Sequence, residues 1–122
     1  MSPTARTLKY LREQGFHAEV VEYYKARRRH DLYGFADVHF VGHGIWGLVQ
    51  VTSASNHSAR WKKITQSDHL QDKVEAVIEA KGEVWVHSWG KKGARGKRKL
   101  WALRKERVGV DDLMYHIASV DL

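Results

Sequence analysis

Two apolar segments, at 35–41 and 45–53, are separated by only three residues, Gly42-His43-Gly44. Both segments are rich in β-branched and aromatic residues, which favour β-strands at this length. A glycine-containing loop this short joins two strands that run antiparallel. We therefore predict a β-hairpin here, and the fold of the whole chain has to be built around it.

The rest of the pattern predicts a single domain over residues 1–122. Helical spacing and end signals predict helices over 4–14, 59–65, 69–80 and 111–117. Strand-forming residues predict further strands over 16–24, 83–89 and 100–104. The connections are a basic segment at 25–30, a polar loop at 53–58 and a hairpin tip at 90–99. This order predicts an α/β fold with a central mixed sheet flanked by helices.

The charge balance indicates a polyanionic partner. The 122 residues include 21 Lys and Arg against 14 Asp and Glu, a formal net charge of +7. A small domain this basic most often binds nucleic acid. An acidic membrane surface is the weaker alternative, because no basic amphipathic helix with a broad apolar face is present.

The chain contains no cysteine, which excludes disulfides, thiolate catalysis and cysteine-based zinc sites. Its N-terminus has no apolar signal-peptide core, and no apolar run approaches the length of a membrane span. We therefore expect a cytoplasmic protein, or one in the host cytoplasm if it is viral, with no membrane partner.

One acid interrupts the first segment of the predicted hairpin. Asp37 lies in an otherwise apolar strand, where an unpaired carboxylate is expensive to bury. On the partner strand Gln50 and Thr52 are two residues apart and therefore point to the same face. Polar groups on neighbouring strands can converge on one hard cation, and Mg²⁺ prefers such oxygen ligands.

This arrangement resembles the PD-(D/E)XK nuclease superfamily, in which an Asp on one strand is followed on the next by an acid-x-Lys motif. Archaeal-type Holliday junction resolvases and small phage nuclease-like proteins look most similar, over about residues 4 to 90. Asp37 matches the Asp, Gln50 the second acid and Thr52 the Lys. The resemblance implies a restriction-endonuclease-like fold, Mg²⁺ or Mn²⁺ as cofactor, branched or structured DNA as substrate, and a homodimer.

Thr52 departs from the superfamily pattern, because a hydroxyl carries no charge to stabilise the transition state. Lys62, Lys63 and Arg60, on the predicted helix that follows, are candidates to replace the missing lysine. Gln50 is a milder departure, because its amide oxygen can still bind a metal.

The superfamily also has a helix-borne Glu, for which the first predicted helix offers only Glu13. Glu22 is a candidate replacement, and Asp31 is a further candidate ligand beside Asp37 and Gln50. Each has an ordinary alternative: Glu22 as a solvated or salt-bridged strand residue, and Asp31 as the first residue of a turn.

Three basic clusters predict a spread surface for phosphate contacts, with solvated charge as the alternative. They comprise Arg27, Arg28 and Arg29; Arg60, Lys62 and Lys63; and, in the predicted hairpin tip, Lys91, Lys92, Arg95, Lys97 and Arg98. The eight histidines show no zinc-binding spacing. His30 and His57 flank the candidate site and are candidates to contact phosphate or water.

These observations leave three functional hypotheses. The first is a metal-dependent endonuclease that acts on branched or structured DNA. The second is a catalytically inactive protein that keeps the nuclease fold and binds nucleic acid. The third, and weakest, is an RNA-binding or toxin-like RNase role.

Overall fold

The computed structural model describes residues 1–114 and shows an α/β fold. Its helices are α1 (Pro3–Glu13), α2 (His57–Gln66) and α3 (Gln71–Glu79). Its strands are β1 (His17–Val20), β2 (Tyr23–Lys25), β3 (Arg28–His30), β4 (Val38–Gly42), β5 (Ile45–Ser53), β6 (Glu83–Lys92) and β7 (Leu100–Val108). Short 3₁₀ turns lie at Ala54–Asn56 and Val110–Asp112, and the rest of the helix predicted over 111–117 falls mostly outside the described residues.

Five strands form a mixed central sheet in the order β1-β4-β5-β6-β7. The pairs β1/β4, β4/β5 and β6/β7 are antiparallel, whereas β5 and β6 are parallel. A parallel neighbour requires a crossover connection, and α2 and α3 supply it. The predicted mixed sheet flanked by helices is therefore confirmed.

The predicted hairpin is also confirmed. β4 and β5 pair from Val38↔Val49 to Gly42↔Ile45. The two turn residues, His43 and Gly44, have φ of 52° and 79°. Positive φ at both central positions matches the right-handed twist of the flanking strands, which makes this turn type favourable in hairpins.

Side-chain alternation along β5 divides the core between the two faces of the sheet. Leu48 packs with Ile64 of α2 and Val74 of α3 on one face. Val49 points the other way and packs with Leu11 of α1 and Phe40 of β4. Residues 50 and 52 therefore share the face of Leu48, the side covered by α2 and α3.

The strand predicted over 16–24 is wrong in its second half. β1 ends at Val20, and the next strand, β2, leaves the central sheet. β2 pairs antiparallel with β3, so the predicted basic connection at 25–30 is part of a separate two-stranded ribbon. Its turn residues are Ala26 and Arg27, with φ of 53° and 62°. Neither residue is a glycine or asparagine, so the usual sequence signal for this turn is missing.

The other elements shift only at their ends. The first helix runs over Pro3–Glu13, and the helices predicted over 59–65 and 69–80 run over His57–Gln66 and Gln71–Glu79. The last two strands are longer than predicted, which shortens the hairpin tip to residues 93–99. Within residues 1–114, no helix has the length and apolar character needed to cross a membrane.

Candidate functional site

Asp37 lies where three strands of the central sheet meet. Its backbone N–H donates to the carbonyl of Val49 at 2.9 Å, and its own carbonyl accepts from Val21 N–H at 2.9 Å. The β4/β5 register places Asp37 opposite Gln50. The residue is only 5% exposed. The backbone of two neighbouring segments therefore fixes the position of this acid.

The predicted pair of polar groups on neighbouring strands makes direct contact. Asp37 Oδ2 accepts a hydrogen bond from Gln50 Nε2 at 2.9 Å and another from Val51 N–H at 2.7 Å. Gln50 is 2% exposed, and its Oε1 has no hydrogen-bond partner among the described residues. A buried carbonyl oxygen without a partner costs free energy unless something outside the chain binds it.

A tight loop brings Asp31 beside Asp37. Leu32 and Ala36 form an antiparallel bridge with reciprocal backbone hydrogen bonds of 2.9 Å. This register places Asp31 opposite Asp37. The loop turns through Gly34, whose φ is +82°, and a Cβ there would lie 2.8 Å from Leu70 Cδ2. The conformation of the loop thus favours glycine, and a Cβ would also displace the Leu70 methyl group.

Glu22 completes a cluster of three acids. One carboxylate oxygen from each of Glu22, Asp31 and Asp37 lies within 4.8 Å of the other two. Glu22 occupies the break between β1 and β2, and its side chain is 13% exposed. Asp31 also accepts from Gly34 N–H at 3.0 Å through its backbone, so the turn alternative holds for its main chain while its side chain joins the cluster.

Burial raises the pKa of Asp37 to about 8. The Val51 N–H opposes this effect by stabilising the ionised form, whereas the charge of Asp31 and hydrogen bonds to Asp31 and Glu22 raise the pKa further. Near neutral pH, Asp37 therefore holds a proton that it can share with the other two acids. A divalent cation can replace that proton and neutralise the same group of charges.

These residues line a cleft of about 600 Å³ that also contains two arginines. Arg60 of α2 is half-buried, and Arg29 of β3 pairs with Glu22 through Nε and Oε2 at 3.1 Å. Lys62 is exposed and Lys63 half-buried, and neither lies among the described residues that line the cleft. Residues two apart on a helix point in different directions, so Arg60 and Lys62 cannot serve the same site.

The N-terminus of α1 faces the same cleft through Ser2, Pro3 and Thr4. Ser2 caps the helix by accepting from Ala5 N–H at 3.1 Å. Thr7 is buried and anchors the helix, since its Oγ1 accepts from Trp89 Nε1 at 2.9 Å. The partial positive charge of a helix N-terminus favours an anion in the cleft. The sequence contains the capping residue but does not show that this end of the helix faces the cleft.

The remaining predicted site residues have different environments. Thr52 is buried and lines the cleft without adding charge. His57 does not contact the cleft: it is 1% exposed, and its Nδ1 and Nε2 lie 2.6 Å from Ser88 Oγ and 2.8 Å from Glu106 Oε1. His30 packs on Tyr23 and lies 3.2 Å from the Lys25 carbonyl. Neither histidine is among the described cleft-lining residues.

The predicted basic surface divides into two hairpins, two arginines of the cleft, and Lys62 and Lys63 on α2. Arg27 and Arg28 are exposed at the turn of the two-stranded ribbon. Lys91 and Lys92 end β6, and the loop beyond carries Arg95, Lys97 and Arg98. This second group lies outside the described lining of the acidic cleft, which contains only Arg29 and Arg60 as cations.

The donor set fits a hard divalent cation. It offers three carboxylates and the carbonyl oxygen of Gln50, and Mg²⁺ and Mn²⁺ prefer oxygen ligands of this kind. The buried Gln50 oxygen, which has no hydrogen-bond partner among the described residues, is a separate observation from the acidic cluster. It also indicates a bound cation. Comparison of the chain with protein-family models, curated proteins and solved structures gave no match.

Proposed function

We propose that this protein is a divalent-cation-dependent DNA endonuclease with a restriction-endonuclease-like fold. The observation that carries the proposal is the convergence of Glu22, Asp31, Asp37 and Gln50 in one cleft. The resemblance to the PD-(D/E)XK nucleases supports it. A leading helix, a glycine-containing approach to the Asp, and a helix after the strand of residues 50 and 52 are all present.

The cleft carries both signs of charge that phosphodiester hydrolysis requires. A divalent cation bound by the acids would supply the chemistry that activates water and stabilises the leaving oxygen. Arg60 and the N-terminus of α1 provide the positive field that holds a phosphate beside the acids. Arg60 thus supplies the positive charge that the Lys of the superfamily would provide and that Thr52 lacks. Arg29 is less available, because it pairs with Glu22.

Branched or otherwise structured DNA is the proposed substrate, and a homodimer is the proposed assembly, both following from the resemblance to Holliday junction resolvases. The net charge of +7 and the two basic hairpins support binding to DNA. The proposed location is the cytoplasm, or the host cytoplasm for a viral protein.

A second candidate is a nuclease-fold protein that binds nucleic acid without cutting it. The observation that favours it is the environment of Glu22, because its ion pair with Arg29 occupies a carboxylate that a metal would need. In this alternative no metal binds, and the acidic cluster is stabilised by shared protons and by the ion pair with Arg29.

A cleavage panel separates the two candidates. Labelled linear, forked, four-way and single-stranded DNA is incubated with Mg²⁺ or Mn²⁺ at pH 8. We expect metal-dependent nicking by the wild type and a rate at least about 10³-fold lower for Asp37→Asn, because metal catalysis supplies several kcal/mol of transition-state stabilisation. DNA binding without cleavage of any substrate would contradict the endonuclease proposal and favour the second candidate.

Arg60 and Lys62 provide a matched pair in the same assay. We expect Arg60→Ala to lower the cleavage rate about 100-fold, since it removes the preorganised positive charge from the cleft. Lys62→Ala removes the same charge from the exposed side of α2 and should leave the rate within about twofold of the wild type. Equal losses in the two variants would assign the effect to net charge and would refute the role given to Arg60.

A further inference from the structure

The two-stranded ribbon, residues 23–30, projects from the candidate metal centre itself. Glu22 immediately precedes β2, and Asp31 immediately follows β3. Two of the three clustered acids thus lie at the base of the ribbon, one next to each of its strands. Whatever the ribbon binds is therefore placed next to the acidic cleft.

The ribbon has the charge of a polyanion-binding element. Its eight residues include four cations and no acid, and both strands are largely exposed. The β2/β3 pairing places Lys25 opposite Arg28, and Arg27 lies at the turn. These three side chains form the tip, so the far end of the ribbon is uniformly positive.

The aromatic side chains of the ribbon already pack against their neighbours. Tyr23 stacks on His30 with ring centroids 5.3 Å apart. The Arg29 guanidinium lies 5.8 Å from the centre of the Tyr24 ring and donates to its hydroxyl at 3.3 Å. Each ring has one such neighbour and stays exposed. The four cations outnumber the two rings, so the ribbon is suited above all to phosphate contacts.

The dimensions of the ribbon match a groove of B-form DNA. Each three-residue strand spans about 10 Å, whereas the major groove is about 8.5 Å deep and about 12 Å wide and admits a two-stranded ribbon. The major groove of A-form RNA is deep and narrow and excludes such an element. The geometry therefore favours duplex DNA over duplex RNA.

We propose that the ribbon enters the major groove of duplex DNA beside the acidic cleft, with Arg27 and Arg28 on the flanking phosphates. This inference rests on the proposed DNA endonuclease function and adds the element that engages the duplex. The backbone conformation at the turn is consistent with such a role. Ala26 and Arg27 both adopt positive φ, a costly arrangement for residues other than glycine that is typical of functional segments.

The test is duplex binding as a function of salt by an Arg27→Asn/Arg28→Gln variant. Asparagine tolerates positive φ, so the turn is preserved while both charges are removed. Affinity for a 20-bp DNA duplex without divalent metal is measured between about 50 and 200 mM NaCl. The control, Lys9→Ala/Lys73→Ala, removes the same charge from the exposed faces of α1 and α3.

We expect the ribbon variant to reduce the slope of log K against log[NaCl] by about 2 and to bind at least about tenfold more weakly at 100 mM NaCl. The control should retain most of the wild-type slope. Coincident curves for the ribbon variant and the control would overturn the inference, as would equal wild-type affinity for an RNA duplex of the same sequence. Neither result depends on cleavage, whereas loss of the proposed function would appear as absent metal-dependent nicking with duplex binding intact.

Discussion

Asp37→Asn is expected to make the metal-free protein more stable at pH 8, by about 2 kcal/mol in the free energy of unfolding. Ionised Asp37 is buried against Asp31 and Glu22, and each unit by which its pKa is raised costs about 1.4 kcal/mol in the charged state. The amide oxygen of the new side chain can accept from Val51 N–H and Gln50 Nε2 as the carboxylate does. Its NH₂ group can donate to the two remaining acids.

The advantage of this variant should depend on pH. The pKa of Asp37 is 3.8 in a model peptide and about 8 in the folded protein, so the folded state binds this proton more tightly. The stability that the protonated group contributes is therefore fully present below pH 3.8 and is lost as pH rises toward 8. Consequently, the stability difference between Asp37→Asn and the wild type should grow across that window and level off above pH 8.

Urea denaturation at several pH values, with a chelator present, measures this difference. Asp68→Asn is the matched control, because Asp68 is exposed and lies on the segment between α2 and α3. The control should change stability by less than about 0.5 kcal/mol at any pH. If Asp37→Asn were destabilising at pH 8, the acidic cluster would not be a region of unfavourable charge in the metal-free protein.

Substituting His57 with alanine is expected to destabilise the protein by about 3 kcal/mol. The ring is 1% exposed and connects α2 to β6 through Ser88 and to β7 through Glu106, at 2.6 and 2.8 Å. A neutral ring with the proton on Nε2 satisfies both contacts, donating to the carboxylate and accepting from the hydroxyl. Its removal leaves a cavity and a fully buried Ser88 hydroxyl without this partner.

His69→Ala is the matched control for this prediction. His69 is exposed between α2 and α3, and within residues 1–114 its ring makes only long hydrogen-bond contacts of 3.4 Å, to Ser67. The same substitution there should cost less than about 0.5 kcal/mol in urea denaturation. Equal midpoints for the two variants would show that the buried His57 contacts do not stabilise the fold.

The sequence was sufficient to predict the hairpin of β4 and β5 and the approach of polar groups on its two strands, although not the direct contact between Asp37 and Gln50. Local patterning decides both, because a short glycine-containing turn sets the register and the strand period of two sets the face. The alternation of helices and strands likewise predicted the mixed sheet. The largest error lies at residues 21–30, where the chain changes direction without a glycine or proline signal.

The two-stranded ribbon shows why other parts of the fold and of the candidate site could not be predicted from the sequence. Residues 16–24 form one strand-like pattern, but β1 ends at Val20 and the turn at Ala26-Arg27 carries no turn-forming residue. β1 and β2 are separate strands because their backbones pair with different partners, β1 with β4 and β2 with β3. The ribbon in turn places Glu22 near Asp31, nine positions along the chain, and spacing alone does not show that contact.

The sequence alone also could not show which of Arg60, Lys62 and His57 lies in the cleft. All three are polar residues of α2, and the sequence does not show which side of the helix faces the cleft. The structure places Arg60 in the cleft, His57 in the interior and Lys62 in solvent. Ile64 and the other apolar residues of α2 pack in the core and so fix the rotation of the helix about its axis. This rotation determines where the three polar side chains lie.

Titration with Mn²⁺ at pH 8, followed by the electron paramagnetic resonance signal of the free ion, tests most directly whether the four side chains form one metal centre. We predict about one ion bound per wild-type chain, since the cluster offers one set of hard oxygen ligands. Binding should be at least about tenfold weaker in Asp37→Asn and unchanged in Asp68→Asn. Equal Mn²⁺ binding by the wild type and Asp37→Asn would contradict a metal centre at Glu22, Asp31, Asp37 and Gln50.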